Sequence, residues 1–187
     1  MICFASLILD DILLAMSEHQ NKSMGKGMII TAWIIALGML TLFFNKVLEK
    51  QYNPNQSLQS SINASGIREI KLLRNRGGHY VTPGEINQQK VVFMLDTGAT
   101  TISIPAGIAK NIGLKKGYAF NVSTANGTIQ VYSTRLQQVK MGDITLDDVS
   151  ANINPYMEGE EILMGMNVLK KLEMIQRGDT LTLRQHP

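Results

Sequence analysis

Five consecutive residues have the types and the placement to do chemistry: Asp96-Thr97-Gly98-Ala99-Thr100. They follow directly on Val91-Val92-Phe93-Met94-Leu95, a continuous apolar run that reads as a buried strand. A buried strand ending in Asp delivers a carboxylate to the rim of a core, where it can serve as a general acid or base. An Asp-x-Gly turn after a strand is common, and three further features raise this one above the ordinary. Thr97 sets a small hydroxyl residue beside the acid. Thr100 and Thr101 lead into a second β-rich segment, Ile102-Ser103-Ile104. Further along, Glu161-Ile162-Leu163-Met164-Gly165-Met166 offers apolar residues and a glycine that permits close backbone approach.

Competing chemistries are poorly supplied. A single cysteine, Cys3, excludes a disulfide scaffold and a Cys-rich zinc site. His19, His79 and His186 lie far apart in the sequence, which disfavours a His-based metal site or a Ser-His-Asp triad. The net charge of +3 is mild and does not point to nucleic acid. Arg68, Lys71, Arg74 and Arg76, with Glu69 among them, read as a solvated linker face. Arg177-Gly178-Asp179 reads as a hairpin turn, and Asp147-Asp148 lacks the further carboxylates of a calcium loop.

The elements that must position the Asp96 loop begin at about residue 78. The whole chain has 187 residues and 44% hydrophobic content, and from there on it settles into short alternating strands with regular turn signals, the pattern of an all-β barrel or sandwich. Tyr80–Ile86 and Lys90–Leu95 form one expected hairpin around Asn87-Gln88-Gln89. Ala119–Thr124 and Thr128–Thr134 form another around Ala125-Asn126-Gly127, since Asn-Gly is a strong hairpin signal. Leu136–Met141 and Ile144–Leu146 pair around Gly142-Asp143, and a last hairpin turns at Gly178-Asp179. Short helices are expected at Ala106–Asn111 and near Asn167–Leu172.

Upstream, Met28 to Phe44 is apolar without a charge, and bulky Leu42-Phe43-Phe44 offers no small-residue cleavage site. The expected organisation is an N-terminal segment at 1–27, a permanent transmembrane helix at 28–44, a polar stalk at 45–77 and a domain at 78–187. Residues Met1–Met16 are also apolar, but Asp10-Asp11 interrupt them. Met24 is a second candidate start of translation. Lysines flank the span evenly, so charge barely sets its orientation, and a large C-terminal domain suits N-in, C-out topology.

Leu95-Asp96-Thr97-Gly98-Ala99-Thr100, followed by Ile162-Leu163-Met164-Gly165, resembles the retropepsin-like (clan AA) aspartic proteases, and more narrowly a membrane-anchored bacterial branch with a single protease domain. The likeness runs from about Tyr80 to Arg184 and includes Thr124-Ala125-Asn126-Gly127 and Leu181-Thr182-Leu183-Arg184. Met164 stands where the family often has Leu. The resemblance implies a closed all-β barrel with one or two short helices and a catalytic Asp96. By the same carry-over Thr97 braces the loop against its twin, Gly98 lets it turn, and Ala99 and Thr100 complete it. Leu163, Met164 and Gly165 would support the loop from beneath. Ala125, Asn126 and Gly127 would sit at the tip of a flap over substrate.

Such a site needs two carboxylates sharing one proton, because like charges about 3 Å apart cannot both ionise. The chain holds one Asp-Thr-Gly, and the other acids of its domain lack that context. A C2 homodimer with Asp96 on the axis is therefore expected. The expected activity is peptide-bond hydrolysis by a membrane-anchored aspartic endopeptidase, needing no cofactor, no metal and no nucleic acid. The expected location is a bacterial inner membrane, single-pass, with the domain in the periplasm. Substrate would lie as an extended strand, with Ile102, Ile104, Ile129 and Met166 as pocket candidates. The alternative is a catalytically inactive peptide-binding or scaffolding domain on the same fold.

Overall fold

The computed structural model describes residues 3–124 and 127–187, with side chains from residue 25 onward. It divides into two units, Met1–Leu48 and Glu49–Pro187.

The first unit is helical. Helix α1 runs without a break over Cys3–Tyr52, its last residues belonging to the second unit. Its stretch Gly25–Tyr52 is long and apolar enough to cross a membrane, by length and composition. Residues 28–44 are exposed throughout, Trp33 among them at 65%. Two hydroxyls inside that stretch are satisfied without water. Thr31 donates to the Gly27 carbonyl at 2.9 Å and Thr41 to the Leu37 carbonyl at 2.8 Å, each bonding within the helix.

The second unit is mostly β. Strands β1 (Gln59–Ile62), β2 (Arg68–Leu73), β10 (Glu173–Arg177) and β11 (Thr180–Gln185) make a four-stranded antiparallel sheet in the order β1-β2-β11-β10. A seven-stranded sheet contains β3 (Tyr80–Ile86), β4 (Gln89–Leu95), β5 (Ile102–Pro105), β6 (Ala119–Thr124), β7 (Gly127–Met141), β8 (Ile144–Asn154) and β9 (Glu161–Met164). Its order is β3-β4-β9-β5-β8-β7-β6, and β3 also pairs with β7 through Glu85 and Ile86, curling the sheet back on itself. Helices α2 (Ala106–Asn111) and α3 (Met166–Leu169) are short. This is the expected all-β barrel with two small helices.

The core explains the curl. Phe93, Ile102, Ile104, Leu136, Ile153, Ile162 and Met164 have no exposed surface and come from β4, β5, β7, β8 and β9. Alternate residues of each strand point into one cluster, so closing the sheet removes apolar area that an open sheet would leave wet. The β3–β4 turn uses Asn87 and Gln88, both at positive φ (49° and 68°), between the paired Ile86 and Gln89. Two successive residues of that kind match the right-handed strand twist.

Three sequence expectations differ from the structure. Part of the segment expected as a polar stalk, 45–77, folds into the β unit as β1 and β2. The partners that bury Ile70 and Leu72 are Leu183 and Leu181, more than a hundred residues away. Asn55 secures this segment: its amide donates to the carbonyls of Leu73 (2.9 Å) and Val81 (2.7 Å) and accepts the Leu73 N–H (2.7 Å). Second, the strands read as Thr128–Thr134 and Leu136–Met141 are one continuous β7, because β8 pairs along both. Third, Ile102 and Ile104 are core residues, so they line no pocket.

Candidate active site

β4 is flanked by β3 on one side and by β9, running parallel, on the other, with Leu95 opposite Met164. The strand is thereby fixed up to its last residue, and Asp96 is the first residue beyond it. The Asp96 N–H still donates to the Met164 carbonyl at 3.1 Å, so the backbone of the acid is held although the chain has left the sheet. Its carboxyl is half-buried, whereas Thr97, Gly98 and Thr100 are exposed. The loop thus stands on a buried floor with an open upper face.

The turn itself is short. The Ala99 N–H donates to the Asp96 carbonyl at 3.2 Å, and the Gly98 N–H donates to Asp96 Oδ1 at 2.8 Å. That second bond orients the carboxylate against its own loop. Gly98 does not adopt a positive φ, so its usefulness is steric: a Cβ there would stand 3.2 Å from Asp96 Oδ1. Any larger residue would crowd the oxygen that the loop holds in place.

Beneath the loop, the residues after β9 form a cradle. The Met166 N–H donates to the Ala99 carbonyl (2.8 Å) and the Asn167 N–H to the Thr100 carbonyl (3.0 Å). Gly165 is buried, and a Cβ on it would lie 2.5 Å from the Thr101 carbonyl oxygen and 2.7 Å from that of Ala99. Only hydrogen fits at that contact, which is the close backbone approach read from the sequence. Met164 is fully buried and Leu163 pairs with Ser103 of β5. Leu163, Met164 and Gly165 therefore lie next to the Asp96 loop in space, though far from it in sequence.

Two amides complete the cradle, and neither was anticipated. Asn167 accepts the Ile102 N–H (3.1 Å) and donates to the Ser150 carbonyl (2.7 Å), tying the loop exit to β8. Asn152, buried on β8, donates to Thr101 Oγ1 and accepts from Ser103 Oγ, both at 2.9 Å. Their sequence signal is slight: an Asn right after a helix start, and an Asn between apolar residues of a strand. An amide withdrawn from water repays its desolvation only when bonded on both ends; buried Asn152 and half-buried Asn167 both are.

Of the expected flap residues, Ala125 and Asn126 lie outside the described residues. Gly127 opens β7 at φ 113°, opposite Thr124, and the Thr124 hydroxyl donates to its carbonyl at 2.8 Å. Met166 and Ile129 are partly exposed. Among the described residues, no group of three or more His, Cys, Asp or Glu side chains gathers as a metal site would require.

A carboxylate at a strand end is thus pinned by a loop N–H and floored by a strand-to-helix cradle, on a curled β sheet. Residues 82–171 match the family model described as gag-polyprotein putative aspartyl protease. The fold is shared with a retropepsin-like aspartic protease from Rickettsia conorii, whose crystal structure superposes with a TM-score of 0.53 at 22% identity, over 68% of this chain and 94% of that one. A weaker likeness, TM-score 0.43 at 17% identity over 51% of this chain and 89% of that one, is to EIAV protease complexed with an inhibitor. In sequence, an uncharacterized protein encoded in the cobV 5' region of a Sinorhizobium species is 32% identical over 125 residues. That match covers 65% of this chain, and the chain spans about half the length of that relative (54%). The β unit thus has the fold of a retropepsin-like aspartic protease, and its residues 82–171 match the putative aspartyl protease model.

Proposed function

We propose that this chain is a membrane-anchored aspartic endopeptidase that works as a homodimer, with one Asp96 from each copy. The observation that carries the reading is the pinned Asp96 on an otherwise open loop face. Oδ1 is held by the Gly98 N–H, while Thr97 and Thr100 beside it are exposed. An exposed loop bearing a fixed acid has room for a second, identical loop, and a C2 axis through it supplies the missing carboxylate.

In that arrangement Asp96 and Asp96 of the partner subunit share one proton. The ionised carboxylate takes a proton from a water molecule, whose oxygen bonds to the scissile carbonyl carbon. The protonated carboxylate donates to the carbonyl oxygen. Collapse of the tetrahedral species breaks the C–N bond as the amine nitrogen is protonated. Thr97 braces each loop against its twin, Leu163, Met164 and Gly165 hold the floor, and the β6–β7 hairpin with Gly127 acts as the flap. The exposed apolar stretch within Gly25–Tyr52 serves as the anchor, with the domain on the periplasmic side of a bacterial inner membrane. Tethering raises the local concentration of the two halves.

The test is cleavage of a peptide library by the full chain in detergent, at about pH 4 to 7, beside Asp96→Asn. Cleavage by the wild type alone supports the reading. If both are inert while labelled peptide still binds, the domain is a peptide-binding module. Crosslinking between copies at Thr97→Cys checks that the two loops meet.

A further inference from the structure

We infer that the peptide cleft prefers an acidic side chain at a subsite a few residues from the cleaved bond, read by Lys115 and Lys116. The inference rests on the protease reading above and adds a substrate class to it.

A cleft of about 510 Å³ opens where the Asp96 loop ends. Thr101 forms one wall, and Lys115, Lys116, Tyr118, Phe120 and Arg135 are among the residues of the others. Its lining has three cations and no Asp or Glu. Arg135 is already engaged by Asp148 across the β7–β8 pair. Among the described residues, neither lysine has a carboxylate partner. Lys116 Nζ rests 4.7 Å from the centre of the Tyr132 ring, and both lysines are exposed. The cleft therefore presents two lysine charges that no salt bridge engages.

The lysines stand on a held backbone. Thr134 Oγ1 donates to the Lys115 carbonyl (2.9 Å), the Gly117 N–H to the Ser133 carbonyl (2.7 Å) and the Ser133 N–H to the Tyr118 carbonyl (2.9 Å). Elsewhere in the lining, the Thr101 hydroxyl is fixed by Asn152. Tyr118 and Phe120, with ring centres 5.8 Å apart, supply apolar surface for the stem of a Glu side chain. Thr101 follows Asp96 by five positions in the same loop-to-strand segment. A peptide seated over Asp96 and running out along Thr101 would advance about 3.3 Å per residue, so the side chain it sets in this cleft would belong to a residue near the scissile bond but not flanking it.

The experiment uses the full chain in detergent and peptides in which Glu is scanned one position at a time, each beside its Gln twin. Binding is measured on the Asp96→Asn chain by fluorescence anisotropy, and cleavage on the wild type. At one position Glu should bind about fivefold tighter than Gln, the scale of two partly screened ion pairs, and the ratio should shrink at high salt. Lys115→Gln with Lys116→Gln should bring the ratio to about 1, and Lys115→Arg with Lys116→Arg should keep it. Equal binding of every Glu and Gln pair overturns the inference, as does a preference that survives the glutamine variants. A lysine-dependent preference in binding without cleavage by the wild type keeps this subsite and removes the protease reading instead.

Discussion

The Asp96 loop and the four-stranded sheet β1-β2-β11-β10 are held by different forces. The sheet is stapled by burial: Ile70, Leu72, Leu181 and Leu183 are at most 3% exposed, and its charges stay at the periphery, where Arg184 bonds Glu69 at 2.7 Å. The loop buries little of its own. It is positioned by backbone bonds from Met164, Met166 and Asn167 and by the absence of a side chain at Gly165. Apolar burial is forgiving of small shifts, while hydrogen bonds and a backbone contact at Gly165 fix direction. The proposed reacting group would need direction, and the candidate site lies where the chain is bonded, while the sheet lies where it is packed.

Substitutions should separate the two regimes. Asp96→Asn should lower peptide turnover about a thousandfold or more with no change in thermal midpoint, checked by steady-state kinetics beside calorimetry. A matching loss of stability would mean the acid is a structural group. Leu72→Ala should cost about 3 kcal/mol in denaturant unfolding, and its folded fraction should keep the wild-type KM. Gly165→Ala should cost about 2 kcal/mol and also depress kcat, because the added Cβ pushes on the carbonyls of Ala99 and Thr101. If it lowers stability alone, the cradle does not orient the acid.

The smallest effect concerns Glu69. The hydrogen bond from Arg184 holds its carboxyl below the ordinary value of 4.5, against an opposing desolvation, with Lys71 adding to the lowering. A carboxyl whose folded value is depressed stabilises above its unfolded pKa and loses that contribution as pH falls through the folded one. Glu69→Gln should therefore cost under about 1 kcal/mol at neutral pH. The gap from wild type should close as pH drops below about 4, followed by urea midpoints across pH. A gap that widens in acid would reverse the assigned sign.

Much of this was legible before any coordinates. The apolar run into Asp96, the two hairpins around residues 87–89 and 178–179, and helix α2 all follow from local pattern and turn chemistry. β1 and β2 were not legible, because the Asn and Ser around them describe a linker until Leu181 and Leu183 arrive from the far end of the chain. Asn152 and Asn167 were missed for the same reason: what makes an amide a brace is the pair of groups it meets, backbone for Asn167 and hydroxyls for Asn152, and those belong to other elements.

By itself, then, the order of residues determined the acid, its glycine, the apolar helix upstream and the alternation that forces a β core. These depend on side-chain type and on period along the chain, which neighbours in sequence supply. Only the tertiary structure decided that β9 runs beside β4, that Gly165 lies under Ala99 and Thr101, and that two lysines line the same cleft as Thr101. Those are pairings between distant segments, and their register is chosen by the burial of the whole core at once.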